Sequence, residues 1–231
     1  MASSNWLDPA PVPAGAAGLH PDPLLNQLLH RRGVRSAAEA SDFLDARERH
    51  APDASQMPNM AKAVARICLA IETGERIGIF GDYDVDGVTS TAVLALALRS
   101  ASKRPNLVVS RLPRRDEGYG LNDSATKEFA DAGVKLMIAV DCGSNDHARI
   151  AVARSLGLDV IVLDHHHIDG SPPADAIVVS AQLDPDGPST MLSAVGVAFL
   201  VVTMLAREGC LVEGPRGESE AALLDLVALG T

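Results

Sequence analysis

The segment Gly81–Gly87 (GDYDVDG) follows directly on the apolar run Arg76–Phe80. A short apolar run that stops at an acidic turn bounded by glycine is typical of a buried strand with a site at its end. Two further apolar runs stop in the same way, one at Asp141-Cys142-Gly143 and the other at Asp164-His165-His166-His167. Because the carboxyl ends of parallel strands meet at one edge of a sheet, we expect these three turns to lie together.

Helical periodicity fills the segments between these runs, so that strands and helices alternate along the chain. The predicted strands are Arg76–Phe80, Asn106–Ser110, Lys135–Val140, Asp159–Leu163 and Ala176–Ser180. The predicted helices are Asn59–Thr73, Val88–Arg99, Asp123–Ala132, Asp146–Ser155, Met191–Arg207 and Glu218–Leu229. The alternation predicts an α/β fold, a mostly parallel sheet with helices on both faces, preceded by short N-terminal helices.

The 231 residues suffice for one domain of ordinary size with an appendage. Residues 1–23 are rich in Pro, Ala, Gly and Ser without any period, which predicts a mobile tail. Residues 24–55 are expected to form a helical segment and residues 56–231 the catalytic domain. The longest uncharged stretch has an apolar part of only 16 residues, Met191–Ala206, so a buried helix is expected and no membrane span. The N-terminus carries no signal-peptide pattern, and we expect a cytoplasmic protein.

The net charge of −10 argues against a simple basic coat for nucleic acid. The charge is uneven, because residues 116–231 hold 6 Lys and Arg against 18 Asp and Glu. Six of the 20 basic residues fall between Arg99 and Arg115 with no acid among them, and such a run can still hold a phosphate chain. The chain has three cysteines, Cys68, Cys142 and Cys210. They are far apart and odd in number, so neither a disulfide framework nor a zinc ribbon is expected, as in a reducing cytoplasm.

The three turns would collect five carboxylates and up to three imidazoles, whose charges repel one another unless a divalent metal is present. The spacing Asp-x-Asp-x-Asp-Gly also opens a calcium-binding EF-hand loop. That loop needs a glutamate where Val93 stands and a helix where a strand is predicted, so it is rejected. A hydrated acidic turn without a ligand is the plainer alternative, and the two other strand ends argue against it. Carboxylates mixed with imidazoles favour two manganese ions, with magnesium or zinc as alternates, and a metal pair of this kind hydrolyses phosphoesters.

Three segments resemble motifs I, II and III of the DHH phosphoesterase superfamily: Gly81–Thr91 (GDYDVDGVTST), Asp141-Cys142-Gly143 and Asp164-His165-His166. The resemblance narrows to the RecJ-type branch, the single-strand-specific 5′→3′ DNA exonucleases, through Pro58–Asp82, Glu117–Leu121 (EGYGL) and Leu192–Leu200 (LSAVGVAFL). It runs from about residue 24 to residue 231. It implies metal-dependent hydrolysis of phosphodiester bonds in single-stranded DNA, in DNA repair or recombination.

The resemblance also implies roles for individual residues. The implied metal ligands are Asp82, Asp84, Asp86, Asp141 and His165, and Asp141 is the one able to bridge two ions. The implied catalytic residues are Asp84, Asp86, Asp141, His165 and His166, with His166 facing the scissile phosphate. Asp164 is expected to orient a neighbouring histidine, and His167 is extra to the motif.

The substrate groups are expected on the helix start and on the loop after the second strand. They are Ser90, Arg114, Arg115, Gly118, Tyr119 and Gly120. A helix N-terminus and arginines can hold phosphates, and Tyr119 can stack a base. The alternatives are a Ser90 that merely caps its helix and a solvated basic loop.

Two segments depart from the family pattern, Ser144–His147 (SNDH) and Val179–Pro188. Asp225–Thr231 (DLVALGT) resembles the beginning of motif IV, so one metal ligand and the C-terminal domains of the relatives are expected to be missing, and activity to be impaired. Two other functions stay open. One is a DHH phosphoesterase acting on short oligonucleotides or cyclic dinucleotides, and the other is a catalytically inactive scaffold.

Overall fold

The computed structural model describes residues 12, 18–45, 53–101, 104–184, 192–211 and 220–231. The chain divides into two compact units, residues 1–51 and residues 52–231. Most of the tail predicted for residues 1–23 lies outside the described residues.

The first unit contains two short helices, α1 (Pro23–Arg31) and α2 (Ala37–Leu44). Asp22 caps α1, since its carboxylate accepts hydrogen bonds from the first free amides of the helix, and Ser36 caps α2 in the same way. A small core of its own holds this unit together, formed by Leu19, Leu29, Val34 and Ala40. The short N-terminal helices predicted from the sequence are therefore present.

The second unit is built on a five-stranded sheet. Its strands are β1 (Arg76–Gly81), β2 (Val108–Arg111), β3 (Val134–Val140), β4 (Asp159–Leu163) and β5 (Ile177–Val179). Their order is β2-β1-β3-β4-β5, and every pair in the described part of the chain is parallel. The predicted parallel sheet is confirmed, and β1, β3 and β4, whose ends carry the acidic turns, are direct neighbours.

Six α-helices lie in the described residues of this second unit. They are α3 (Met60–Thr73), α4 (Val85–Ala101), α5 (Asp123–Asp131), α6 (His147–Ser155), α7 (Ala194–Arg207) and α8 (Leu224–Gly230). Single 3-10 turns precede several of them, for example Ala54–Gln56 before α3 and Glu220–Leu223 before α8. None of the helices in the described ranges is long and apolar enough to cross a membrane.

Two apolar layers cover the two faces of the sheet, as predicted. Alternate strand residues such as Ile79 and Ile138 pack with α3, α4 and α7 on one face. Their sequence neighbours Phe80 and Met137 pack with α5 and α6 on the other. This division follows from the strand geometry, in which successive side chains point to opposite faces. A sheet covered on both faces exposes only its edges, and the carboxyl edge carries the polar turns.

Helix α4 begins at Val85, three residues before the predicted start at Val88. The Asp84 carboxylate accepts a hydrogen bond from the Gly87 amide at 3.0 Å, so the acidic turn itself opens the helix. Asp86 consequently lies in the first helical turn and not in a loop. This placement directs its side chain into the interior, where it is 9% exposed.

The expectation of no disulfide framework, as in a reducing cytoplasm, is wrong for two of the three cysteines. Cys68 of α3 and Cys210, just beyond α7, form a disulfide across 142 residues of sequence. The spacing argument failed because α3 and α7 pack side by side on the same face of the sheet, which no local pattern shows. Cys142 is a free and buried thiol.

Candidate metal centre

Three acidic turns meet at the carboxyl edge of the sheet. Asp82 follows β1, Asp141 follows β3 and Asp164 follows β4, and these three strands are adjacent. The amide of Asp141 donates to the carbonyl of Leu163, and the amide of Asp164 donates to the carbonyl of Val179. The sheet hydrogen bonding therefore extends into the turns and fixes where their side chains begin.

Two groups of three side chains bring ligand atoms within 4.8 Å of one another. One group is Asp82, Asp84 and Asp141, and the other is Asp141, His165 and His166. Asp141 belongs to both, so its carboxylate is the side chain common to the two candidate ligand sets. Its backbone has a φ of 59°, a left-handed conformation that costs energy for any residue other than glycine.

The donor set of this edge fits divalent cations. One carboxylate oxygen each of Asp82 and Asp141 is buried and accepts no hydrogen bond from any described residue. Burial raises the pKa of Asp141 to about 6; the neighbouring His165 opposes this rise, and the charges of Asp86 and Asp84 add to it. Burial also raises the pKa of Asp82. Buried carboxylate oxygens without a partner are costly, and a bound cation removes that cost.

His165 lies against two of these carboxylates. Its Nε2 atom is 3.4 Å from Asp141 Oδ1 and 3.6 Å from Asp86 Oδ2. The nearby Asp141 carboxylate raises the pKa of His165, whereas burial and the nearby His166 lower it. The structure thus places the predicted histidine ligand beside both Asp86 and Asp141.

Asp86 has a second set of partners that the sequence does not reveal. Its two carboxylate oxygens accept hydrogen bonds from the amides of Ala194 at 2.9 Å and Val195 at 2.7 Å, at the start of α7. Ser90, predicted to contact phosphate, is completely buried, and its hydroxyl lies 3.4 Å from Asp86 Oδ1. Sequence reasoning missed the α7 amides, and the capping residue Ser193 before an apolar helix was the available signal.

Asp164 organises the histidine turn. Its carboxylate accepts the amides of His165 and Ser144 and the Nδ1–H of His166, the last at 2.8 Å. Burial raises the pKa of Asp164, but the hydrogen bonds from His166 and Ser144 outweigh it and hold the pKa at about 2. The carboxylate is therefore charged and able to orient His166, as the resemblance implies.

The turn Gly118–Gly120 brings Tyr119 over His166. The Tyr119 hydroxyl lies 3.2 Å from Nδ1 and 3.1 Å from Nε2 of His166, and it donates to the carbonyl of Asp141 at 3.3 Å. Burial, followed by the charges of Asp164 and Asp141, raises the pKa of Tyr119, so its hydroxyl stays protonated. Both glycines have positive φ values, 85° and 81°, which a non-glycine residue adopts only with strain.

Two arginines of the basic run between Arg99 and Arg115 are paired with acids. Arg114 binds Asp116 through two hydrogen bonds, of 2.9 and 3.0 Å, and Arg111 binds Glu117 and Glu128. The guanidinium of Arg115 lies over the ring of Tyr83, 5.3 Å from its centre. The acids that pair with this run follow it in the chain, so the absence of acids within it overstated the local positive charge.

A family model described as the DHH family, N-terminal domain, matches residues 76–231. The chain is 38% identical over 214 residues to the single-stranded-DNA-specific exonuclease RecJ of Bacillus subtilis, covering 92% of this chain and 26% of that protein. It is 40% identical over 217 residues to the Escherichia coli RecJ, covering 90% of this chain and 36% of that protein. The chain thus spans about a quarter to a third of the length of these relatives.

Solved structures give the same result. A crystal structure of exonuclease RecJ bound to manganese aligns with a TM-score of 0.64 and 33% identity, covering 76% of this chain and 43% of that one. The RecJ of Thermus thermophilus in complex with Mn²⁺ aligns with a TM-score of 0.66 and 29% identity, covering 93% of this chain and 28% of that one. A RecJ complex with Mg²⁺ from the same organism also aligns, with a TM-score of 0.52.

Proposed function

The chain belongs to the DHH family, and from that membership we propose that it is the catalytic core of a RecJ-type enzyme, hydrolysing phosphodiester bonds of single-stranded DNA from the 5′ end. The observation that carries this proposal is the position of Asp141 in both ligand groups. A carboxylate shared by two clusters matches a centre with two divalent ions, and such centres serve phosphoryl displacement.

The ligands proposed for these ions are Asp82, Asp84, Asp86, Asp141 and His165. When bound, the ions supply an activated water and neutralise charge on the phosphate. Carboxylates combined with imidazole favour manganese, with magnesium or zinc as alternates.

In this mechanism the protein orients side chains beside the metal ions through hydrogen bonds. Asp164 fixes the ring of His166 through Nδ1 at 2.8 Å, which leaves the ring beside Asp141 for contact with the scissile phosphate. Tyr119 contributes its hydroxyl to the same ring, and the residue remains 54% exposed, which leaves it accessible to a base. We assign Ser90 to supporting Asp86 in place of direct phosphate contact, because its hydroxyl is buried.

The substrate contacts proposed beside the centre are Arg114, Arg115 and the backbone of Gly118 and Gly120. The pairing of Arg114 with Asp116 reduces the free positive charge available to a long strand. This observation favours the second candidate, hydrolysis of short oligonucleotides or cyclic dinucleotides, which needs fewer phosphate contacts. We place the protein in DNA repair or recombination, in the cytoplasm.

Manganese titration by calorimetry, with cleavage of a 5′-labelled single strand in the same samples, tests the proposal. The chain is expected to bind two Mn²⁺ ions and to release short products. Asp84→Ala is expected to abolish cleavage and weaken binding at least tenfold, whereas Asp175→Ala, an exposed control, changes neither. Cleavage confined to dinucleotides or short oligonucleotides would support the second candidate. Absence of both binding and cleavage would leave the inactive scaffold.

A further inference from the structure

The run Ser144–Asp146, which departs from the family pattern, lies between the histidine turn and the Tyr119 turn. The Ser144 amide donates to Asp164 Oδ2 at 3.1 Å. Asp146 Oδ2 accepts the amide of Leu121 at 3.2 Å, directly after Gly120. Three consecutive residues after β3 therefore make contacts with the segments that carry Tyr119 and the two site histidines.

Asn145 makes the most specific of these contacts. Its Nδ2 donates to the carbonyl of His167 at 2.8 Å, and its Oδ1 accepts the amide of Asp169 at 2.8 Å. Only one orientation of the side-chain amide satisfies both partners, because a carbonyl needs a donor and an amide N–H needs an acceptor. The side chain thus binds the backbone immediately after His165 and His166 at two points, and these two hydrogen bonds are called the clamp below.

The histidine turn depends on such a clamp. The side chains of His165 and His166 are 35% and 43% exposed, so packing alone does not immobilise them. Asp164 holds the beginning of the turn through the amides of His165 and His166. Asn145 holds its end, so the two imidazoles stand on backbone that is fixed on both sides.

We propose that Asn145 is a positioning residue, which orders the turn His165–Asp169 so that His165 and His166 are already placed for the metal centre. The expected effect of Asn145 on metal affinity rests on the proposed function. Its expected effect on the order of the turn rests on the hydrogen bonds alone. Outer partners that orient metal ligands change affinity by about 10–100-fold when they are removed.

Two variants and one control test this role in the whole chain. Asn145→Ala removes both hydrogen bonds, and Asn145→Asp keeps the size but places an acceptor against the His167 carbonyl. His167→Ala is the control, since His167 gives its backbone carbonyl to Asn145 and its side chain makes only an exposed contact of 3.9 Å with the Asp169 carboxylate. Amide hydrogen exchange of residues 165–170 is measured without metal, Mn²⁺ affinity by calorimetry, and the melting temperature of each metal-free variant by circular dichroism.

Both Asn145 variants are expected to lose about tenfold of the Mn²⁺ affinity, with an unchanged melting temperature. A loss of at least tenfold in protection at the Asp169 amide is expected for Asn145→Ala alone, because the carboxylate of Asn145→Asp still accepts that amide. The control is expected to match the parent chain. Wild-type protection at Asp169 in Asn145→Ala would overturn the proposal, as would wild-type Mn²⁺ affinity in that variant once the protection is lost. A melting temperature that falls in parallel with affinity would reduce Asn145 to a purely structural role and would also overturn it. If the parent chain binds no Mn²⁺, the proposed function fails, and the exchange measurement still decides whether the clamp exists.

Discussion

Gly87→Ala tests whether the close contact between α4 and the acidic turn is essential. A Cβ atom at Gly87 would lie 2.5–2.7 Å from the backbone N, C and O atoms of Asp82, whereas ordinary contact begins near 3.4 Å. The backbone must therefore separate by several tenths of an ångström. Overpacking of this kind costs about 1–3 kcal/mol, and rigid backbone on both sides places this case near the upper end.

The helix propensity of alanine acts in the opposite direction. Alanine is about 1 kcal/mol better than glycine within a helix, so propensity alone predicts a more stable variant. The clash outweighs that gain, and the net expectation is a loss of about 2 kcal/mol. For a chain of this size, the loss corresponds to a melting temperature lowered by roughly 4–8 °C. The displaced Asp82 should also weaken Mn²⁺ binding about tenfold.

Thermal unfolding by circular dichroism and Mn²⁺ titration of the same sample measure both effects. Gly18→Ala is the matched control, because a Cβ there meets nothing within 4 Å and its melting temperature should not change. A Gly87→Ala variant that melts at or above the parent temperature and binds Mn²⁺ equally well would refute the close-contact argument.

Three further predictions concern stability. Asp86→Ala should lower the melting temperature in the presence of a chelator, because the loss of a carboxylate that binds two helix amides costs about 1–2 kcal/mol. The control Asp175→Ala should leave the melting temperature unchanged. Equal melting temperatures of the two variants would contradict this role of Asp86. Reduction with dithiothreitol should lower the free energy of unfolding by roughly 2–5 kcal/mol, because it opens the Cys68–Cys210 disulfide across 142 residues. A double serine variant should not respond to the reductant. If denaturant titrations show the parent chain to be equally insensitive, the disulfide is not formed. Burial raises the pKa of Asp159, but hydrogen bonds from its arginine partners lower this pKa further than burial raises it. Asp159 therefore contributes to the free energy of unfolding above its unfolded pKa of about 3.9, and the contribution disappears as the pH falls through the folded pKa. Urea titrations between pH 6 and pH 3 should show that the free energy of unfolding depends less on pH in Asp159→Asn than in the parent chain. The same dependence on pH in both chains would contradict this prediction.

The sequence predicted the strands well because each is a short apolar run that ends at a polar turn. All five predicted strands exist, with bounds shifted by no more than two residues at any end. The strand order was not predictable, since neighbours such as β1 and β3 are joined by contacts between distant segments. Helix α4 begins earlier than predicted because Asp84 caps it, and a turn composed of ligand residues does not resemble a helix start in sequence alone.

The candidate site shows the same division between local and distant information. The parallel-sheet rule brought Asp82, Asp141 and Asp164 to one edge without any knowledge of the structure. The same rule does not predict hydrogen-bond partners from distant segments of the chain, such as the α7 amides that bind Asp86. The basic run was overestimated for a similar reason, because the acids that neutralise Arg111 and Arg114 belong to the following turn and to α5.

The junction between Asp86 and α7 brings the amino end of a helix to the acidic cluster. The amino end of a helix carries about half a positive charge, and α7 directs that end at a carboxylate of the acidic cluster. Part of the electrostatic repulsion is therefore offset by the polypeptide itself, before any ion arrives. The proposed ion site is therefore expected to form during folding, with metal binding as a separate and reversible event. A chelator should then empty the centre while the sheet and α7 remain in place.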